Sequence, residues 1–400
     1  MTVTTPTDTL AELGLSAPPR PVYLDCNATT PVDPQVVEEV MKWTSAEFGN
    51  AGSRTHTYGQ VAKERVALAR TQVAAVVDAT PDEVVFTSGA TESNNLALLG
   101  LAGFGERSGR KHIISSQIEH KAVLEPLDQL SKRGFEVTLL PPTSGGWIDP
   151  GDVRESLRPD TLLVSIMGVN NETGIIQPID EIASCLSHHE TFLHVDAAQA
   201  FGKTIGLLRN VRIDLMSVSG HKIYGPKGIG ALVARRRKFT RPPLEPLMFG
   251  GGQERGLRPG TLPVALIAGL GVAATLAIQE SETRDKICRA IQTQALAALK
   301  PLGIAINGDL GRSVSHTLNV SVPGVDSEAA IVALKDVVAL SNGSACTSQS
   351  YDPSHVLQAA KLPLDRIAGA LRFSWSHLTP EIDWLEIATR LTKLRSHSRA

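Results

Sequence analysis

Apolar and polar positions alternate in short blocks along most of the chain. Glu83-Val84-Val85-Phe86-Thr87 reads as a buried strand, and the spacing from Gly89 to Leu101 predicts a helix. Lys111 to Ser115 predicts a second strand, followed by a helix that starts near Lys121, and Phe135 to Leu140 a third strand. The apolar runs Thr161 to Met167, Thr191 to Val195, Ile213 to Val218 and Gly228 to Ala234 have the length of buried strands. Strands separated by helical patterns need crossover connections, which implies an α/β fold with a mostly parallel sheet covered on both faces. Gly269 to Arg289 reads as one long helix, apolar at first and charged after Gln279, as a helix leaving a large core for a second lobe would be. Leu318-Asn319-Val320-Ser321-Val322 is a period-two strand among further helical patterns, which predicts a smaller α/β lobe.

Composition narrows the functional classes. Of 400 residues, 42% are apolar and 20% charged, enough to bury a large core and too apolar for a disordered chain. Basic and acidic residues nearly cancel, 39 against 41, which argues against nucleic acid or an anionic membrane as a direct partner. Nothing approaches the run of about 18 apolar residues that a membrane span needs. Four cysteines, Cys26, Cys185, Cys288 and Cys346, are too few for a disulfide scaffold, so the cytoplasm is the expected compartment. Residues 1–20 are rich in Thr and Pro and lack the pattern of a secretory signal; they read as an N-terminal extension. The basic run Arg235-Arg236-Arg237-Lys238, with Arg241, reads as a solvated turn after a strand. His188, His189 and His194 have no metal-ligand spacing, and no metal site is assigned.

Several segments carry candidate chemistry. In Thr87-Ser88-Gly89-Ala90-Thr91-Glu92 a strand gives way through glycine to a helix, whose free N–H groups either receive an anion or are capped locally. In His194-Val195-Asp196-Ala197-Ala198-Gln199 an apolar strand ends in a carboxylate, where open parallel sheets bind ligands. That carboxylate either pairs with a cationic ring nitrogen or caps the next segment. Ser219-Gly220-His221-Lys222 places a hydroxyl, an imidazole and an amine at another strand end. A lysine there is either a Schiff-base nucleophile or a surface side chain. Cys346 lies among Gly, Ser and Thr in Gly343-Ser344-Ala345-Cys346-Thr347-Ser348, the setting of a reactive thiol, whereas Cys26, Cys185 and Cys288 read as small apolar fillers.

Taken in order, these motifs resemble the pyridoxal-phosphate cysteine desulfurases of the fold-type I, class V aminotransferase superfamily. The resemblance also rests on Leu24-Asp25-Cys26-Asn27-Ala28-Thr29-Thr30-Pro31, Glu119-His120-Lys121-Ala122-Val123 and Val169-Asn170-Asn171-Glu172. Further along it rests on Gly250-Gly251-Gly252-Gln253-Glu254, Gly260-Thr261 and Arg372-Phe373-Ser374, so it runs from about Tyr23 to Ser376. The loop around Cys346 resembles the NifS and IscS group rather than the SufS group.

The resemblance implies a large cofactor-binding domain over 32–277 with a seven-stranded sheet, and a small domain made of 21–31 and 278–400. It implies pyridoxal 5'-phosphate joined to Lys222, with Asp196 on the pyridine nitrogen, Gln199 on the ring hydroxyl and His120 stacked on the ring. Ala90, Thr91, Ser219 and His221 would hold the phosphate, and Thr261 would reach the phosphate of a partner subunit in a homodimer. Asn171, Arg372 and Asn50 would bind the substrate, L-cysteine. Cys346 would accept its sulfur and pass it to an acceptor protein, an iron–sulfur scaffold or a nucleic-acid thiolation enzyme. The opening motif resembles the DNA phosphorothioation type. An aminotransferase or selenocysteine lyase, and a non-catalytic sulfur scaffold, are the competing expectations. The chain departs from the family pattern at Ala51, where a proline is usual, at Pro259, where a serine is usual, and at Cys26, where a tyrosine is common.

Overall fold

A computed structural model describes residues 20–342 and 353–397. The expected N-terminal extension, apart from Arg20, and the Cys346 loop therefore lie outside the described residues. The strands in chain order are β1 (Val22–Tyr23), β2 (Val84–Thr87), β3 (His112–Ser116), β4 (Glu136–Leu140), β5 (Thr161–Met167) and β6 (Phe192–Asp196). They continue with β7 (Leu215–Ser219), β8 (Gly230–Ala234), β9 (Ala305–Ile306), β10 (Thr317–Ser321), β11 (Val338–Ala339) and β12 (Ala370–Ser374).

Seven strands form the central sheet in the order β2-β8-β7-β6-β5-β3-β4, parallel except for β8, which runs antiparallel to both neighbours. β5, β6, β7 and β8 are buried along their whole length, which explains why they read as continuous apolar runs rather than alternating ones. The antiparallel turn of β8 needs close approach. An ideal Cβ on Gly230 would lie 2.2 Å from the Val218 carbonyl oxygen and 2.6 Å from Gly89 Cα, so only glycine fits there. The carboxyl ends of β5, β6 and β7 carry Met167, Asp196 and Ser219 to one edge of the sheet.

The stretch expected as one long helix is two, Val264–Gln279 and Ser281–Leu299, meeting at Glu280 with a bend of 74°. The first is almost wholly apolar and packs on the helices Pro34–Ser45 and Thr57–Val76; the second sends Cys288, Ile291, Ala295 and Leu299 into a different apolar cluster. Each helix follows its own core, and the bend lies where the composition changes from apolar to charged. The second cluster gathers Leu24, Val320, Phe373, Trp375 and Leu391 around the antiparallel sheet β12-β10-β9 and the parallel pair β1-β11. The segment around β1 and Leu24 thus packs with the C-terminal third. No single helix among the described residues is long and apolar enough to cross a membrane.

The basic run is a solvated turn only in part: Arg236, Lys238 and Arg241 are exposed, but Arg235 and Arg237 are tied down. Arg235 is buried and donates to the carbonyls of Val77, Leu208 and Asn210, while Arg237 grips both oxygens of Asp214, at 2.6 and 2.8 Å, and the Thr191 carbonyl. Loop carbonyls brought together only in the fold take up these donors.

Candidate active site

A cavity of about 650 Å³ opens at the carboxyl ends of the central strands. Ala90, Thr91, His120, Asn171, Asp196, Gln199, Ser219, His221, Lys222 and Arg372 all line it. They come from sequence segments up to 282 positions apart (Ala90 to Arg372), so the fold itself assembles them.

The Ser219–Lys222 turn leaves β7 as a short 3-10 helix, Gly220–Lys222, and carries the amine over the cavity. Lys222 Nζ donates to the carbonyls of Asn27 at 2.6 Å and Ala28 at 2.7 Å. These two acceptors from the opening motif hold the amine in place. Gln199 Nε2 donates to the same Asn27 carbonyl at 2.9 Å. His221 shares a 3.1 Å hydrogen bond with Thr29, and burial followed by the charges of Lys222, Lys227 and Lys203 pushes its pKa down to about 4. It is therefore a neutral imidazole at physiological pH.

Asp196 is buried at the end of β6. Its oxygens accept from the Ala198 N–H at 2.9 Å and from Asn94 Nδ2 at 2.7 Å, both neutral donors. Asn94, on the helix Ala90–Leu99, reads in the sequence only as part of a local cap with Thr91; its approach to Asp196 exists only in the fold. The start of that helix faces the cavity through Ala90 and Thr91. It follows Gly89, whose φ of +154° lies in a region that side chains rarely adopt. Unpaired N–H groups at this helix start, with the dipole, suit a phosphate.

His120 caps the helix Lys121–Lys132, its Nδ1 accepting from the Ala122 N–H at 3.0 Å. An accepting Nδ1 leaves the ring proton of the neutral form on Nε2. The preceding Glu119 is fully buried. Its Oε1 accepts from Ser116 at 2.6 Å and the Met167 N–H at 3.0 Å, and burial pushes its pKa up to about 8. His194 has both ring nitrogens engaged, by Ser165 at 2.8 Å and Ser217 at 3.0 Å, so it is a packing residue.

Arg372 enters from β12, buried, with Nη2 on Asp25 Oδ1 at 2.5 Å and Nη1 on the Asn171 carbonyl at 3.0 Å. Asn50 and Thr261 are not with the others: they line a second cavity of about 490 Å³. Two ties hold the segment before Thr261, and the first reaches a residue that lines the first cavity, Glu92. Arg258 pairs with Glu92 at 2.9 Å, and Glu254 pairs with Arg70 at 2.5 Å while accepting from the Phe86 N–H at 2.8 Å. The three described cysteines behave as fillers. Cys26 and Cys288 are buried, and burial raises their thiols to about 11 and about 12, while Cys185 is half-buried. Asp33, Glu280 and His377 are grouped closely enough for a metal, but the Arg284 guanidinium pairs with both carboxylates, at 3.5 and 2.9 Å.

The cavity also leaves buried polar atoms without partners, namely Gln199 Oε1, Asn94 Oδ1 and Arg372 Nε. Each such group costs about 1–3 kcal/mol when left unmade, so their concentration at one cavity points to a polar ligand. The class V aminotransferase model matches residues 22–383. The cysteine desulfurase IscS of Vibrio cholerae is 47% identical over 366 residues, 91% of this chain and 90% of its own.

The chain belongs to the cysteine desulfurases of the class V aminotransferase family.

Among solved structures, DndA from Streptomyces lividans is 54% identical with a TM-score of 0.78, over 88% of this chain and 99% of its own. SspA in complex with cysteine is 38% identical with a TM-score of 0.78, over 90% and 100%. Cysteine desulfurases of this fold use pyridoxal phosphate. The cavity fits it: an amine for its aldehyde, a buried carboxylate for its ring nitrogen, an unsatisfied amide for its hydroxyl and a helix start for its phosphate.

Proposed function

We propose that this desulfurase works as a cytoplasmic homodimer. The cavity would bind one pyridoxal phosphate and one L-cysteine, and Cys346 would carry the sulfur away as a persulfide. We further propose two domains, 32–277 around the central sheet and 21–31 with 278–400 around the second apolar cluster, with the site between them. The observation that carries this reading is the convergence of Lys222, Asp196, His120 and Arg372 on one cavity. When bound, the cofactor supplies an electron sink for the charge left at the substrate Cα.

The residues divide the remaining work. Lys222 would take the Cα proton, with the Asn27 and Ala28 carbonyls as acceptors for the charged amine. Asp196 would keep the ring nitrogen protonated, held in line by Asn94. His120 would donate and accept through Nε2. Arg372 and Asn171 would hold the substrate carboxylate, which fixes the orientation of the sulfur. The Cys346 thiolate would bond to the substrate sulfur as the substrate's C–S bond breaks, and protonation at carbon would leave L-alanine. Placement of Asn50 and Thr261 away from the cavity suits residues that serve a partner subunit's site.

The sulfur acceptor is a separate proposal. Likeness to DndA supports sulfur supply to a DNA phosphorothioation enzyme, and likeness to IscS supports an iron–sulfur scaffold or tRNA thiolation enzyme. Radiosulfur from labelled L-cysteine should bind the wild-type protein in a form released by reductant. It should be absent from Cys346→Ser, since a hydroxyl furnishes no anion at neutral pH whereas a thiol near 8.5 furnishes a few per cent. Full turnover in Cys346→Ser, or label mapped to Cys26, would sink this role.

A further inference from the structure

We propose that Glu172 is a positioning residue that ties the two lobes together behind the substrate site and tunes the charge Arg372 presents to the substrate carboxylate. This rests on the reading of Arg372 as the carboxylate site.

Glu172 is 3% exposed and sits in the turn after β5. Asn170 Oδ1 fixes that turn by accepting from the N–H groups of Glu172 and Thr173, each at 2.9 Å. Three donors from the C-terminal lobe then converge on two successive residues. Ser354 Oγ donates to Glu172 Oε2, Asn319 Nδ2 on β10 donates to the Glu172 carbonyl at 3.0 Å, and Arg372 Nη1 on β12 donates to the Asn171 carbonyl at 3.0 Å. Asn171 lines the cavity and Glu172 stands behind it. Movement of this turn would therefore move Asn171 and Arg372 together.

The charges around Glu172 are as telling as the bonds. Burial disfavours its ionised form, and Ser354, then Arg372, then His120 favour it. The balance pushes the carboxyl up to about 7. The same guanidinium already serves Asp25 at 2.5 Å. An incoming substrate carboxylate is thus an additional anion for one cation, and it meets less repulsion when Glu172 carries its proton. Binding of the substrate carboxylate should draw a proton onto Glu172, and should weaken as pH rises through about 7.

The experiment uses the cofactor-loaded protein and L-alanine, which carries the carboxylate but no sulfur to react. Calorimetric titrations from pH 6 to 8 compare wild type with Glu172→Gln, with cofactor absorbance as the check on folding. Wild type should lose affinity by on the order of fivefold more than Glu172→Gln over that range. At neutral pH, paired buffers of different ionisation enthalpy should reveal a proton uptake that the variant lacks. Ser354→Ala removes a donor that favours the ionised form, so it should move the inflection to higher pH; this variant carries the test if Glu172→Gln loads poorly. Identical pH profiles and proton uptake in wild type and Glu172→Gln, or an unmoved inflection in Ser354→Ala, would overturn the proposal alone. Unweakened alanine binding in Arg372→Ala would overturn the carboxylate-site reading beneath it.

Discussion

Replacing Arg372 by alanine separates its structural contacts from its proposed role at the substrate carboxylate. The guanidinium is 3% exposed, bonded to Asp25 at 2.5 Å and to the Asn171 carbonyl at 3.0 Å, and keeps a buried Nε without a partner. A substrate carboxylate held by such a cation gains about 1.5–3 kcal/mol, so the variant should raise KM for L-cysteine by roughly 10- to 150-fold. The truncation also strands Asp25. Stranding a fully buried charge costs about 3–5 kcal/mol, but the Asp25 side chain is 18% exposed and partly hydrated, which puts the stability loss below that range. Adding Asp25→Asn removes the stranded charge. The double variant should regain much of the denaturant midpoint while KM stays high. Steady-state kinetics and chemical denaturation of wild type, both single variants and the double variant measure the two effects separately. An unchanged KM in a fully loaded Arg372→Ala enzyme would place the carboxylate elsewhere. Recovery of KM along with stability in the double variant would mean that the kinetic loss was only damage to the fold.

Lys222→Ala should still fold, because the amine's bonds to the Asn27 and Ala28 carbonyls lie at a cavity rather than in either apolar core, but borohydride treatment followed by unfolding should leave no cofactor absorbance on the protein. Retained absorbance would mean that another lysine is the anchor. Glu119 contributes stability through its protonated form, which is fully present below its ordinary pKa of 4.5 and lost as pH rises toward the folded value of about 8. Glu119→Gln, which keeps the shape without the proton, should therefore gain on wild type in denaturant midpoint between pH 5 and pH 8, and a constant difference across that range would refute the assignment.

Local chemistry made much of the site legible. Each of Lys222, Asp196 and Ser219 lies where an apolar run stops and small or polar residues begin, and a buried parallel strand leaves its ligand-facing residue at that point. Thr87 to Glu92 was readable for the same reason, as a strand, a glycine and a helix start. Asn94 was not, because an asparagine inside a helix looks like any exposed polar residue until Asp196 arrives from 102 positions away. Arg235 misled in the opposite direction. Arginines in a row read as solvated, and only the fold supplies the carbonyls of Val77, Leu208 and Asn210 that account for its burial. The bend at Glu280 was hidden because no glycine or proline marks it; two cores pull one helical sequence in two directions.

Asn27 shows why the Leu24–Pro31 motif belongs with Lys222, almost 200 residues later. The segment that follows β1 crosses from the second apolar cluster to the mouth of the cavity. On one side the Asn27 N–H donates to Ser374 at 3.0 Å and its amide to Thr317 at 2.9 Å; on the other its carbonyl accepts from both Lys222 and Gln199. The same amide also donates to the Asn171 carbonyl at 3.0 Å, the acceptor that Arg372 shares. One residue therefore fixes Lys222, Gln199 and Asn171 against each other. In the proposed reaction the Asn27 and Ala28 carbonyls would be the acceptors for the free Lys222 amine. Those hydrogen bonds would hold the amine at the cavity, where as the proposed base it would lie close to the proton it takes.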